Sequence, residues 1–594
     1  MSDDEPSNET RTDVSRRDVL GSAGAMALGS TPLFVGGTGV ADGAVSDGPS
    51  GVHVAFGSDP ANTLRVGWSG GPATEALVRY GRPGDLDTTV QANARTVPGE
   101  DALAYSATLA GLASDTTYVY EAEMDGTAVG PFSIRTAPEE NESFRVTAVG
   151  DHGIADPENP FQRPDTDDPI EVIDRAQAQE PAFHLAVGDI SYANGKPSTW
   201  ELYFEEFEEF YATTPFLTVP GNHEAEPGTG LAQYDGRLND LMPIYDPGLD
   251  LASKQRWYDF QYGNTLFMGL NTTSEDCGLP ARGDEAIPIY DTRCRTDEQK
   301  RLNQAQRDYI EKTLAAAAED PDVEWKVVYL HGPLWTDAPD HPSRKDLRER
   351  WGTLFDEYGV DLVMSGDNHV YERTKPIFGT DFERGFGTTY VTNGTGGASH
   401  YAFENAEPAD FLAARSNEFF GVTQLDVDDE RIAVRYVTED GSIEDEFAVI
   451  KDENGRPTQA TIEDAKANEL AVSGTRTDDG SAFTGGQTNQ VDLSVQANRP
   501  VRVRDRVPAE WNVLERGDVT DTEAGPEGVT YVYFDDDRTT DPQATYFVEA
   551  PDGLTKTGRY DFGPIQVDET EGSDWVDVAG TASVETVVGE DTNV

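Results

Sequence analysis

Phe183-His184-Leu185-Ala186-Val187-Gly188-Asp189-Ile190-Ser191-Tyr192 is an apolar run that ends, through one glycine, in an acid and a phenol. Four other segments have the same shape. Phe144–Val149 leads to Gly150-Asp151-His152-Gly153, and Phe216–Val219 leads through Pro220 to Gly221-Asn222-His223-Glu224. Val327–Leu330 leads to His331-Gly332-Pro333, and Val360–Met364 leads to Gly366-Asp367-Asn368-His369-Val370-Tyr371-Glu372-Arg373. Short apolar runs closed by glycine read as buried strands, and ligands in open α/β sheets gather beyond the carboxyl ends of strands. Five such loops can therefore converge on one crevice. A lone Gly-Asp after a strand is usually a turn, and a lone histidine is usually a satisfied core or surface group. Five in order, with metal-competent residue types, are another matter. The chain has only eight histidines, and His152, His223, His331 and His369 all sit in these loops.

Helical periodicity fills the spaces between the runs, over about 170–179, 200–211, 297–319 and 344–358. The third helix opens with Thr296-Asp297-Glu298-Gln299, a capping-box spacing that satisfies otherwise free amides. Strands alternating with helices over 141–452 predict an α/β domain, two sheets sandwiched by helices. Before it, residues 50–138 alternate in strand fashion (Val52/Val54/Phe56, Leu64/Val66/Trp68, Val78/Tyr80, Tyr118/Tyr120), which predicts a small β-sandwich. After it, 453–484 reads as a polar linker. Residues 485–594 return to β patterning (Val491/Leu493/Val495, Val501/Val503, Tyr531/Tyr533), as an accessory β-rich module. A chain of 594 residues is too long for one core, so this multidomain reading is the expected one.

Residues 1–45 carry Ser15-Arg16-Arg17-Asp18-Val19-Leu20 and then a Gly/Ala-rich, mildly apolar stretch to about Val40. This looks like a twin-arginine export signal rather than a chance Arg pair in a tail, with Ala41 and Ala44 as candidate cleavage neighbours. No later segment is apolar enough to span a membrane. An extracellular or cell-surface protein is expected, the C-terminal module being a candidate for surface association. Cys277 and Cys294 lie close together in a loop-like stretch. In an exported protein a disulfide is the leading reading, against two free thiols or a soft-metal pair.

Acidic residues number 110 against 45 basic ones, for a net charge of −65. The carboxylates are spread among well-patterned apolar segments, which is the surface expected of an extreme halophile rather than a disordered tail. No basic stripe survives this field, so nucleic acid is not an expected partner. The field should also repel phosphate. The Debye length is only about 3 Å at 1 M salt, however, so in brine the local charge of the site decides.

The five loops resemble the ordered signature GDxG, GDxxY, GNH[DE], VxxH and GHxH of the calcineurin-like metallophosphoesterases. Tyr192, and Val370-Tyr371-Glu372-Arg373 after His369, resemble the purple acid phosphatase branch. So do Phe56-Gly57-Ser58-Asp59-Pro60, Phe132-Ser133-Ile134-Arg135-Thr136-Ala137-Pro138 and Thr392-Asn393-Gly394-Thr395-Gly396-Gly397, the first two being similar to that family's fibronectin-type N-terminal domain. The resemblance covers Val52 to Val449. It implies a first metal, ferric iron in the family, on Asp151, Asp189, Tyr192 and His369. It implies a second, divalent ion (Mn, Fe, Zn or Mg) on the bridging Asp189, Asn222 and His331. His223 would contact the substrate phosphate, and His341 matches a histidine proposed to protonate the leaving group. Read from the residues alone, His331 and His341 could equally be loop histidines with no role. Two cations about 3.5–4 Å apart clamp an in-line displacement and lower the pKa of bound water, and histidine suits leaving-group protonation near neutrality.

The last motif departs from the pattern, because Asp367 stands where an imidazole is expected. As a ligand it would bring the shell to four anions, leaving one net positive charge where histidine leaves two. The second metal should then shift from Zn²⁺ towards oxygen-preferring Mn²⁺, Mg²⁺ or Fe²⁺. The alternative is that Asp367 only hydrogen-bonds a ligand. The resulting expectation is an exported, metal-dependent phosphoesterase, acid phosphatase-like, that hydrolyses small phosphate monoesters by attack of metal-bound hydroxide. A phosphodiesterase or nucleotide hydrolase on the same site, and a non-catalytic surface binding protein with a decayed second metal site, are the alternatives.

Overall fold

The computed structural model describes residues 46–138, 143–159, 168–226, 230–243, 256–273, 297–467, 470, 472–497, 499–534, 538–568 and 575–588. The twin-arginine segment, Ala41, Ala44, Thr296, Cys277 and Cys294 lie outside these residues.

The expected alternation in the N-terminal region produces β1 (Ser50–Phe56), β2 (Thr63–Gly70), β3 (Ala76–Gly81), β4 (Thr88–Gln91), β5 (Asn93–Thr96), β6 (Leu103–Ala110), β7 (Thr117–Met124) and β8 (Thr127–Arg135). They form two antiparallel sheets, in the orders β1-β2-β6-β5 and β4-β3-β7-β8. Leu64, Val66 and Trp68 from one sheet, and Tyr118, Tyr120 and Ala122 from the other, are buried, as a side-chain period of two requires.

The α/β region follows. Its strands are β9 (Phe144–Val149), β10 (Phe183–Ala186), β11 (Phe216–Thr218), β12 (Tyr258–Tyr262), β13 (Thr265–Leu270), β14 (Trp325–Leu330), β15 (Leu362–Ser365), β16 (Tyr371–Thr374), β17 (Thr389–Asn393), β18 (Leu412–Ser416), β19 (Gly421–Val427), β20 (Ile432–Thr438), β21 (Ile443–Lys451) and β22 (Pro457–Ala460). They make two seven-stranded sheets, in the orders β11-β10-β9-β19-β20-β21-β22 and β12-β13-β14-β15-β17-β16-β18. β9, β10 and β11 are parallel, as are β13, β14, β15 and β17. The five apolar runs are β9, β10, β11, β14 and β15, so their loops leave at carboxyl ends.

Both faces of β14 are covered, which explains its unbroken apolar sequence. Val327 and Tyr329 join Leu185 and Leu425 in the core between the sheets. Val328 and Leu330 pack the other way, with Ile310, Leu314, Leu354 and Phe355. Those residues belong to α5 and α7 in the helix series α1 (Asp168–Ala178), α2 (Ser198–Glu206), α3 (Glu208–Tyr211), α4 (Ala232–Leu238), α5 (Asp297–Glu319), α6 (Lys345–Leu347), α7 (Thr353–Tyr358) and α8 (Ile462–Ala467). The expected helix over 200–211 is broken at Phe207, whose ψ of 12° leaves the helical region. The helix expected over 344–358 is interrupted by a π turn at Arg348–Gly352. Seven-residue α4 carries Gly236 and too little apolar periodicity to be read from sequence.

The N-terminal sandwich shares the central core. Phe56 lies 5.7 Å from Phe183, 6.0 Å from Phe260 and 5.7 Å from Tyr262, measured between ring centres. His53 stacks on Phe204 at 4.2 Å, and the Tyr120 hydroxyl donates to the Ala212 carbonyl at 2.7 Å. The stretch 453–484, read as a linker, is instead structured: β22 pairs with β21, and Ile462 and Ala465 of α8 pack on Ala433 and Ala448. Val472–Asp478 then opens a β-rich C-terminal module with its own core around Val491, Leu493, Val503, Tyr546 and Val567. Inside it the buried Arg476 and Asp505 pair at 3.0 Å, and Tyr546 donates to Asp505 at 2.7 Å. Among the described residues no helix is long and apolar enough to cross a membrane.

Candidate metal centre

The loops after β9, β10 and β15 turn sharply where their strands end. Asp151 (φ 58°), Asp189 (φ 51°), Tyr192 (φ 53°), Asn194 (φ 51°) and Asp367 (φ 69°) are all left-handed. They are five of the eight non-glycine residues with positive φ among the described residues. Such conformations cost on the order of 1–3 kcal/mol each. Their concentration at one place separates a site from ordinary turns. Two glycines admit the close approach. A Cβ on Gly188 (φ +91°) would stand 2.5 Å from His331 Nδ1, and one on Gly221 would stand 2.2 Å from Asp189 Oδ1.

Asp151, Tyr192 and His369 meet in a triangle. The Tyr192 hydroxyl is 3.2 Å from Asp151 Oδ1 and 3.1 Å from His369 Nε2, and His369 Nε2 is 3.3 Å from Asp151 Oδ1. His369 Nδ1–H donates to the Ser399 carbonyl at 2.8 Å, which leaves the Nε2 lone pair pointing into the triangle. Tyr192 is fully buried.

A second group lies alongside. His331 Nδ1–H donates to the Val187 carbonyl at 2.8 Å, so its Nε2 faces Asn222 Oδ1 at 3.1 Å, Asp189 Oδ1 at 3.4 Å and Asp367 Oδ1 at 3.7 Å. Ligand atoms of Asp151, Asp189 and His331 all lie within 4.8 Å of one another, which joins the two groups. Lone pairs facing oxygen acceptors at this spacing are a donor set for cations. Neighbouring donors of a site with bonds of about 2.1 Å stand about 3.0–3.4 Å apart. The first group fits that spacing, and so do Asn222 and Asp189 in the second. Asp367 sits slightly outside it.

Two further histidines flank these donors without joining them. His223 receives its position from its own N–H, which donates to Asp189 Oδ1 at 2.7 Å, and from its ring Nδ1, 2.5 Å from Asn194 Oδ1. His341 Nδ1 is 3.1 Å from Asp367 Oδ1, and its Nε2 is 3.3 Å from the Tyr401 hydroxyl. The Tyr401 ring stacks on His369 at 4.1 Å. His341, the residue most easily read as bland, therefore stands at the edge of the centre. His152 does not. Its ring is turned to Tyr203 and the Pro169 carbonyl, and burial lowers it to about 4.

The electrostatics are uneven. Burial raises Asp151, only partly offset by the His369 hydrogen bond. Burial would raise Asp189 too, but His331 and His223 hold it well below the carboxylate range. Glu224, buried and beside Asp189, is pushed up to about 8. It accepts the N–H groups of Asp189, Ile190 and Gly221 at 2.9, 2.8 and 2.7 Å, tying two loops together. Sequence reading quoted Glu224 only as a motif letter, and it assigned nothing to Asn194 or Tyr401. Their roles depend on side-chain direction, for which the sequence carries no signal.

Residues 144–371 match the calcineurin-like phosphoesterase family. The fold and the paired donor groups thus belong to a metal-dependent phosphoesterase, whose family implies a dinuclear metal site. Residues 49–136 match the purple acid phosphatase N-terminal domain, so the chain is a calcineurin-like metallophosphoesterase of purple acid phosphatase type. An uncharacterized protein of Mycobacterium tuberculosis is 29% identical over 402 residues, covering 62% of this chain and 72% of its own length. A protein of Arabidopsis thaliana named probable inactive purple acid phosphatase 1 is 25% identical over 344 residues, covering 53% of this chain and 51% of its own. The structure of a purple acid phosphatase from yellow lupin (Lupinus luteus) seeds shares the fold, with a TM-score of 0.54 at 22% identity, over 69% of this chain and 75% of that one.

Proposed function

We propose that this protein is an exported phosphomonoesterase of a high-salt organism. The observation that carries the reading is the pair of adjoining donor groups, Asp151–Tyr192–His369 and Asp189–Asn222–His331, with two non-ligand histidines at their edge. A decayed binding protein has no need of that edge.

The first group would hold a trivalent ion. Burial, Asp151 and Asp189 push the Tyr192 phenol well above its ordinary range, and a highly charged cation best releases its proton. The second group would hold a divalent ion, with Asp367 favouring oxygen-preferring metals. Two bound cations supply Lewis acidity, neutralising phosphoryl oxygens and acidifying water. The protein's own residues do the rest. Asn194 fixes the His223 ring over Asp189, where it can hold a phosphate oxygen. Asp367 takes the His341 Nδ1 side, leaving Nε2 as the atom that can pass a proton to the departing alcohol.

The test is purification in high salt, metal analysis, and assay of a monoester against a diester. Two metals per chain with monoester preference is the expected result. Diester preference moves the reading to a phosphodiesterase, and metal-free inactive protein overturns both. Export is checked by replacing Arg16 and Arg17 with Lys, which should retain the protein inside the cell.

A further inference from the structure

We infer that the dipeptide Asp367-Asn368 is the positioning device for His341, Asp367 holding its ring and Asn368 its backbone; this rests on the phosphomonoesterase reading above. Asn368 is fully buried. Its Oδ1 accepts the His341 backbone N–H at 3.2 Å, and its Nδ2 donates to the His341 carbonyl at 2.8 Å and to Thr336 Oγ1 at 3.0 Å. Both amide hydrogens are thereby committed to the loop that runs from His331 to Arg344. The residue lies between Asp367 and His369, yet its side chain faces the loop.

The rest of the loop is anchored independently. The Asp337 N–H donates to Glu372 Oε1 at 2.9 Å, and Arg415 pairs with Asp337 at 2.6 Å. Ser343 Oγ accepts the Thr336 N–H and donates to the Thr336 carbonyl, both at 3.0 Å. The Arg344 N–H donates to the Pro333 carbonyl at 2.9 Å. Truncating Asn368 therefore releases the backbone of His341 while leaving the loop folded.

The ring is fixed from the same dipeptide. Asp367 Oδ1 stands 3.1 Å from His341 Nδ1 and 3.7 Å from His331 Nε2, so one oxygen links the second donor group to the proton donor. An imidazole at 367 would offer no carboxylate to His341. In the reaction the water oxygen bonds to phosphorus as the P–O ester bond breaks. The alcohol leaves with the proton of His341 Nε2, and the proton lost by the attacking water replaces it.

A positioning role for the proton donor has a signature that a general structural role lacks. Alkyl phosphates leave as strongly basic alkoxides and need the proton, whereas 4-nitrophenyl phosphate does not. Asn368→Ala should lower kcat on glycerol phosphate about 100-fold, the size of a general-acid contribution, and on 4-nitrophenyl phosphate by less than about threefold. Metal content should be unchanged. His341→Asn should show the same selectivity, and the double variant should lose little more, because the two residues act as one unit. In metal-stripped protein, carbethoxylation of His341 by diethylpyrocarbonate, mapped by peptide mass, should be faster in Asn368→Ala than in the parent. If Asn368→Ala does not fold, the isosteric Asn368→Asp keeps the acceptor, loses both donors, and should show the same substrate selectivity. Equal losses on both esters, or unchanged His341 reactivity, overturn the inference. A parent protein that hydrolyses neither ester overturns the phosphomonoesterase reading instead, and the reactivity of His341 still decides the positioning.

Discussion

Asp367 makes the centre differ from the pattern its loops resemble, and its left-handed backbone is held by an N–H bond to Asp151 Oδ2 at 2.8 Å. Asp367→His removes one anion from the second donor group and the carboxylate partner of His341 together. The expected outcome is preference for Zn²⁺ over Mn²⁺ raised about 10-fold, the scale on which ligand surroundings tune affinity, measured by metal analysis after equilibration with both ions. Hydrolysis of alkyl esters should fall while that of nitrophenyl esters is retained. Unchanged metal preference would remove Asp367 from the ligand set. At this scale the sequence was generous. The five strand-end loops pointed to one crevice, and the resemblance of their residues to a known signature implied Asp151, Asp189, Tyr192, Asn222, His331 and His369 as its donors. The contacts of Asn368 and Tyr401 join segments 27 and 60 residues away from His341 and left no local trace.

Among the elements, β10 shows how burial sets a pH limit. His184 lies within it, hydrogen-bonded at Nδ1 to Thr147 Oγ1 at 2.8 Å, and burial lowers it to about 3. His53 on β1 is lowered to about 4 by burial, against the raising effect of the Gly51 carbonyl. A histidine with a depressed folded pKa stays neutral while the unfolded chain takes up its proton. Stability is therefore complete above the ordinary value of 6.5 and drains away as pH falls towards the folded values. Each residue should account for a loss on the order of 3 kcal/mol over that window. Urea unfolding at constant high salt, at about pH 7 and about pH 4, should show the loss, and His184→Gln should remove its share while that of His53 remains. Sequence patterning announced both elements, β1 by alternation and β10 as a short apolar run closed by glycine. The break at Phe207 and the π turn at Arg348–Gly352 were not announced, because both arise where a helix bends to meet neighbours distant in sequence.

For the whole molecule, the net charge of −65 makes self-repulsion the dominant long-range term at low ionic strength. Raising KCl from about 0.5 to about 3 M should raise the melting temperature by about 10 °C or more. A flat response would argue against a halophilic surface. The C-terminal module should melt separately, since its core is its own. Asp505→Ala removes one of the two carboxylates on Arg476, leaving Asp478 at 3.0 Å, and takes the acceptor from the buried Tyr546 hydroxyl; it should destabilise that module by about 1–3 kcal/mol while sparing phosphatase activity. Two calorimetric transitions, only one of them shifted, would check this.

The rings of Phe56, Phe183, Phe260 and Tyr262 form one seam between the N-terminal sandwich and the α/β sheets. For anyone recombining such proteins, this seam forbids a breakpoint near residue 138. A cut there would strip Phe183 and Phe260 of their cover and give two sticky halves. The transferable cassette is 46–467, and the serviceable crossover lies just after α8.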